Sequence, residues 1–192
     1  MIRPAMKLEV DVQIVCHSSV DRGVPTDEQL QNWAEVAWLA GTKSSKENQH
    51  QEVTIRVVSE NEMQNLNKQY RSQDKTTNVL SFPFENEFAS ISNMIDDLLG
   101  DIVLCHAVIV EEAKQQKKTL DNHYAHMVTH GILHLCGYDH ESEDEASVME
   151  ALEVAVLAKH NVNNPYIDVP DALGGLDALG SSDALGSSTV LD

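Results

Sequence analysis

The chain has 192 residues, is 42% hydrophobic and carries a formal net charge of −18 at pH 7. That length and apolar content suit one ordinary core, no apolar run is long enough to span a bilayer, and Met1–Lys7 leads into the chain with no signal-peptide h-region. Cys16, Cys105 and Cys136 are an odd, widely spaced set, which argues against a disulfide framework and for a reducing cytoplasm. The acidic balance opposes nucleic acid as a partner, yet it is unevenly spread. Residues 121–192 hold thirteen acids against one base, Lys159, while residues 1–120 hold eighteen acids and twelve bases. A local basic patch around Lys68, Arg71 and Lys75 remains open.

From the N-terminus, Lys7 to Cys16 alternates apolar and polar residues, the period of a half-buried strand. Asp27 to Ala40 places Trp33, Val36, Ala37 and Ala40 at helical spacing behind an N-cap at Thr26. A polar loop, Gly41 to Gln51, leads to a strand over Val53–Val58. Ser59 then caps a helix reaching about Tyr70. The turn-formers and hydroxyls from Arg71 to Asn78 read either as a site-like rim or as a capped loop. Taken alone, Arg71 reads more readily as a surface ion-pair residue than as a catalytic one. Val79 to Phe84 is a strand limited by Pro83, residues 85–98 a polar loop, and Gly100 to Cys105 a short apolar strand followed by a helix through Lys118.

The next helix, capped by Asp121, carries His130-Gly-Ile-Leu-His134-Leu-Cys-Gly137-Tyr-Asp-His140. His130 and His134 lie one turn apart on one face, so both imidazoles reach one ion. Gly137 supplies the left-handed residue that ends the helix and returns His140 toward them. An isolated HxxxH pair is as readily structural as ligating; the third His and the glycine turn favour a zinc site with an open fourth position. The spacing matches the HExxHxxGxxH pattern of metzincin proteases, except that Gly131 stands at their general-base Glu. His126 falls in a neighbouring register, near the site or on the helix surface, and His123 is expected to face solvent. Cys136 is read as a small buried hydrophobe rather than a ligand. Ser142 and Glu145 form a capping box for a last helix to Lys159. After Tyr166 a hexad repeat, Asp171-Ala-Leu-Gly, Asp177-Ala-Leu-Gly and Asp183-Ala-Leu-Gly, lies in a Gly/Ser-rich acidic tail too poor in apolar residues to pack. The expected organisation is an α+β domain over residues 1–167, with one mixed sheet and a helix carrying the metal ligands across it, and a disordered tail over 168–192.

The motif H-G-x-L-H-L-x-G-Y-D-H at 130–140, with Tyr70-Arg71…Asp74…Thr77…Val79-Leu-Ser-Phe-Pro83 and the Gly100-Asp101 strand opening, resembles the YbeY family of bacterial rRNA-maturation endoribonucleases. The resemblance spans about residues 8–167. It implies a roughly four-stranded sheet with surrounding helices, and a cytoplasmic, metal-dependent endoribonuclease specific for single strands. That activity would serve 16S rRNA 3′-end maturation and ribosome quality control. It also implies one zinc ion on His130, His134 and His140, a functional Arg71, and ribosomal RNA, the small subunit and its assembly factors as partners, with neither membrane nor DNA among them. Many members carry Asp where Asn78 stands. Asp139 is expected to orient a ligand histidine. Two other readings remain open: a zinc peptidase or amidase, and a non-catalytic assembly factor with a structural metal.

Overall fold

The computed structural model describes residues 6–16, 23–42, 50–84 and 97–167. Most of the two expected loops, over 41–51 and 85–98, and the whole repeat tail lie outside the described residues. The elements are β1 (Lys7–Ile14), α1 (Asp27–Gly41), β2 (His50–Val58), α2 (Glu60–Arg71), β3 (Val79–Pro83), β4 (Leu98–Cys105), α3 (His106–Gln115), α4 (Leu120–Leu135) and α5 (Glu143–Lys159). The sheet runs β1-β2-β4-β3, with β1, β2 and β4 parallel and β3 antiparallel to β4. The expected α+β domain with one mixed four-stranded sheet is therefore the fold observed. Among the described residues no helix is long and apolar enough to cross a membrane.

Strand alternation divides the core in two. Val53, Ile55, Val57, Ile102 and Leu104 point to one face and pack with Trp33, Val128 and Ile132 from α1 and α4. Val58, Val103 and Cys105 point to the other, where Met63 of α2 covers them. The sheet is thus buried on both sides, as parallel strands require.

Local sequence sets the helix ends. Thr26 and Gln29 cap each other reciprocally before α1, and Ser142 and Glu145 do so before α5. Two expectations need correction here. The N-cap of α4 is Thr119, whose hydroxyl accepts from Asn122 N–H, and Asp121 lies in the first turn. There its charge complements the helix dipole instead of capping. Helix α3 ends at Gln115, three residues before Lys118, because Lys117 adopts φ 54°.

Gly131 is where α4 meets the sheet. A Cβ placed there would lie 2.9 Å from Ile102 Cδ1 and within 3.2 Å of two further Ile102 carbons. Ile102 is fully buried and β-branched, so it has little room to yield. Replacing Gly131 by Ala gains about 1 kcal/mol of helix propensity but overpacks this contact at about 1–3 kcal/mol. The net expectation for Gly131→Ala is a loss of about 1 kcal/mol, read by chemical denaturation. A variant more stable than wild type would contradict the close approach.

Candidate metal centre

With Gly131 against the sheet, the adjoining flank of α4 carries His130 and His134 one turn apart. The helix closes in a Schellman motif: Tyr138 N–H donates to Leu133 O at 3.0 Å and Gly137 N–H to His134 O at 2.9 Å. Gly137 has φ 84° with open space where a Cβ would be, so backbone conformation, not crowding, calls for glycine. The reversal brings His140 back. Ring centroids lie 4.5 Å apart for His130 and His134, 5.0 Å for His134 and His140, and 5.6 Å for His130 and His140. One nitrogen from each of the three falls within 4.8 Å of the others, the single such group among the described residues.

The hydrogen bonds fix which nitrogens face the centre. His130 Nδ1 sits 2.7 Å from Glu153 Oε1, and Glu153 is fully buried on α5. A carboxylate only accepts, so Nδ1 carries the proton and Nε2 presents a lone pair. That Nε2 lies 3.1 Å from His134 Nε2. Two ligand nitrogens on a tetrahedral zinc with bonds near 2.0–2.1 Å would be separated by roughly 3.3 Å. Donor type, tautomer and spacing therefore fit a zinc ion. Burial holds the His134 pKa below the usual histidine value, helped by the neighbouring His130 and His140, and a neutral ring is the form that ligates.

Glu153 is the site residue that sequence reasoning missed. Burial opposes its charge, but contacts from His126, His130 and Tyr166 outweigh that and hold its pKa at about 2. The Tyr166 hydroxyl donates a short hydrogen bond to Glu153 Oε2, and His126 Nε2 stands farther off, at 3.6 Å. A signal was present: Met149, Val156 and Leu157, at i−4, i+3 and i+4 from Glu153, are all buried core residues, so Glu153 interrupts an apolar stripe. Asp139, expected to orient a ligand, accepts from the His140 backbone N–H at 2.8 Å and lies 4.0 Å from His134 Nδ1. It braces the turn. His126 lines a different cleft from the three clustered histidines. His123 corrects the solvent expectation: it is 1% exposed, with Nε2 2.8 Å from Glu112 Oε2. Cys136 is partly buried against the main core.

The three histidines open into a cleft of about 760 Å³ that Arg71, Lys75 and Asn78 also line. Arg71 ends α2, and its one described polar contact is a long one, 3.5 Å to Ser81 O. Among the described residues no carboxylate pairs with it. Lys68, grouped with it in the sequence, instead pairs with Asp74 at 2.6 Å. Asn78 accepts from Val79 N–H at 2.7 Å and donates to both Glu112 oxygens, at 3.3 and 3.0 Å. An ionised Asp at position 78 would meet Glu112 as a like charge. The metzincin Glu position, Gly131, lies inside the core and not in the cleft.

The class these features describe is an α+β fold with a three-histidine cluster that could hold a metal ion, on a sheet-packed helix and with an arginine in the same cleft. The family model described as "Endoribonuclease YbeY" matches residues 15–161. Among curated relatives of that name, the one from Colwellia psychrerythraea is 47% identical over 83% of this chain and 97% of its own length. Those from Hydrogenovibrio crunogenus and Psychromonas ingrahamii are 45% and 43% identical, over 83% and 84% of this chain and 98% of each relative. The chain belongs to the YbeY family.

Two outcomes check the ligand assignment. Replacing His130, His134 or His140 singly by Ala should leave zinc well below one equivalent in metal analysis of purified protein, whereas His126→Ala should keep it. Glu153→Gln keeps the shape but loses the charge that fixes His130. Its zinc affinity should fall about 10–100-fold in titration against a chromophoric chelator; an unchanged affinity would mean Glu153 serves packing alone.

Proposed function

We propose that the protein is a zinc-dependent endoribonuclease that cuts single-stranded ribosomal RNA in the cytoplasm, in 16S 3′-end maturation and ribosome quality control. As a YbeY family member it is an endoribonuclease, with RNA as its substrate. The ribosomal target, with the small subunit and its assembly factors as partners, follows from the motif resemblance. The three cysteines, none of them in a disulfide, suit a reducing compartment.

The observation that carries the zinc-dependent reading is the shared cleft: three convergent histidines and an arginine without a carboxylate partner among the described residues. Zinc bound there would supply Lewis acidity toward a phosphoryl oxygen and lower the pKa of a water to about 7. Glu153 keeps the His130 proton on Nδ1 and so the ligating lone pair on Nε2. Arg71, planar and permanently charged, binds the scissile phosphate through paired hydrogen bonds and offsets the charge that grows on its oxygens. Lys75 on the same rim adds a second phosphate contact. A cleft of this size favours a strand whose bases are splayed from a duplex.

Arg71→Ala should leave zinc content and melting temperature near wild type while cleavage of single-stranded RNA falls about 100-fold or more. Unchanged cleavage with matching melts would remove Arg71 from the site. The domain over residues 1–167 carries this activity in our reading. Deleting 171–192 should preserve cleavage and leave RNA binding at low salt equal or tighter, since the deletion removes acidic residues. A truncated protein that melts several degrees lower would tie the tail to the domain.

A further inference from the structure

A second cleft, of about 720 Å³, adjoins the metal cleft. Asn78 and Glu112 line both, so their hydrogen-bonded pair forms the wall between them. Lys117, Lys118 and Tyr166 line the second cleft, and Lys118 Nζ donates to Pro165 O, next to Tyr166, at 3.1 Å. We propose that this cleft is a nucleotide subsite, holding a residue of the same single-stranded RNA that flanks the one at the metal; it rests on the ribonuclease reading above.

Three observations on independent parts of the fold point there. The first is the backbone of Lys117. It sits at φ 54° in the reversal that ends α3, with Lys118 N–H donating to Ala113 O at 2.9 Å. Glycine or asparagine would occupy that position at lower cost, yet the chain keeps a lysine there, exposed and at the cleft edge. A residue held in an unfavoured conformation is a pointer to function.

The second is the floor. Glu112 can only accept, so His123 Nε2 carries the proton it shares with that carboxylate at 2.8 Å. Burial, the largest influence on His123, keeps the ring neutral, which leaves Nδ1 with a lone pair. That Nδ1 is buried and has no hydrogen-bond partner among the described residues. Unsatisfied buried acceptors are uncommon and call for a donor; a ribose hydroxyl or an exocyclic amine would reach this one on a small shift of the side chains that cover it. Glu112 keeps its charge, because neutral His123 and Asn78 donate to it without cancelling it, so this wall faces base or ribose and the phosphates lie toward the lysines.

The third is Tyr166. The residue is 45% exposed, and its ring packs edge-on to His126 at 5.7 Å while its hydroxyl is held by Glu153. A ring fixed in place and partly open beside two lysines offers a stacking surface with a cationic rim, the combination that binds single strands without reading their sequence. It also links the subsite to the metal, through Glu153 and His130.

The test uses the zinc-loaded full chain and 2′-O-methyl oligonucleotides, which block attack by the 2′-oxygen, with strand integrity after each titration checked on a gel to exclude attack by water. Fluorescence anisotropy compares a dinucleotide with a hexanucleotide long enough to cross the wall. Wild type should bind the longer strand about tenfold tighter or more. In Lys117→Asn that length advantage should shrink toward one, and the slope of log affinity against log salt should flatten by about 0.7. The same variant should melt no lower than wild type, because Asn accepts the left-handed backbone. Equal binding of both lengths by a wild-type protein that cleaves unmodified RNA would overturn the subsite and leave the ribonuclease reading standing. Failure to bind either length, with no RNA cleavage, would overturn both. A full length advantage retained in Lys117→Asn would remove Lys117 and the cleft it borders from RNA binding.

Discussion

The contact between Gly131 and Ile102 governs the geometry of the site. A helix can approach a sheet this closely only where a side chain is missing, and here the missing side chain lies next to His130 of the histidine cluster. The close approach sets the depth and rotation of α4, so His130 and His134 emerge at the cleft and not into the core. It also explains why this chain cannot use the peptidase arrangement its spacing suggests, because a Glu at 131 would have to enter Ile102. The third histidine of the cluster, His140, is positioned by backbone geometry, through the left-handed Gly137 and the Asp139 brace.

A buried carboxylate then stiffens what packing has placed. Glu153 is charged in the core, which is unfavourable unless hydrogen bonds compensate it. His130 and Tyr166 supply them, so the cost of burying the charge is offset by the groups the site needs held still. The sign of the linkage follows. A folded-state pKa of about 2 against an ordinary 4.5 means this stabilisation is complete above pH 4.5 and is lost as the pH falls toward 2.

Much of this was legible in the chain. The N-cap at Thr26, the capping box at Ser142, the strand periods and the three-histidine spacing all state local rules that tertiary structure did not override. The departures arose where burial decided. His123 looked like an exposed residue at the start of a helix, but Glu112, eleven residues earlier, reaches it across the α3–α4 packing. Glu153 lies in a helix rich in acids, and only its place among Met149, Val156 and Leu157 marks it as inward-facing. Lys117 ended α3 early because a left-handed lysine has no signature comparable to glycine. The acidic total also misled in isolation. Charge on a phosphate-handling protein matters at the cleft, where Arg71 and Lys75 stand, more than as a sum over 192 residues.

The central claim is that one zinc ion is held by His130, His134 and His140 with a position left open for substrate. A crystal structure of the zinc-loaded protein with anomalous scattering at the zinc edge tests it most directly. The account predicts a single strong peak bonded to one nitrogen of each of these three rings at about 2.0–2.1 Å, with no fourth protein ligand. Zinc bound through His126 or Cys136, or closed off by Asp139 as a fourth ligand, would contradict it.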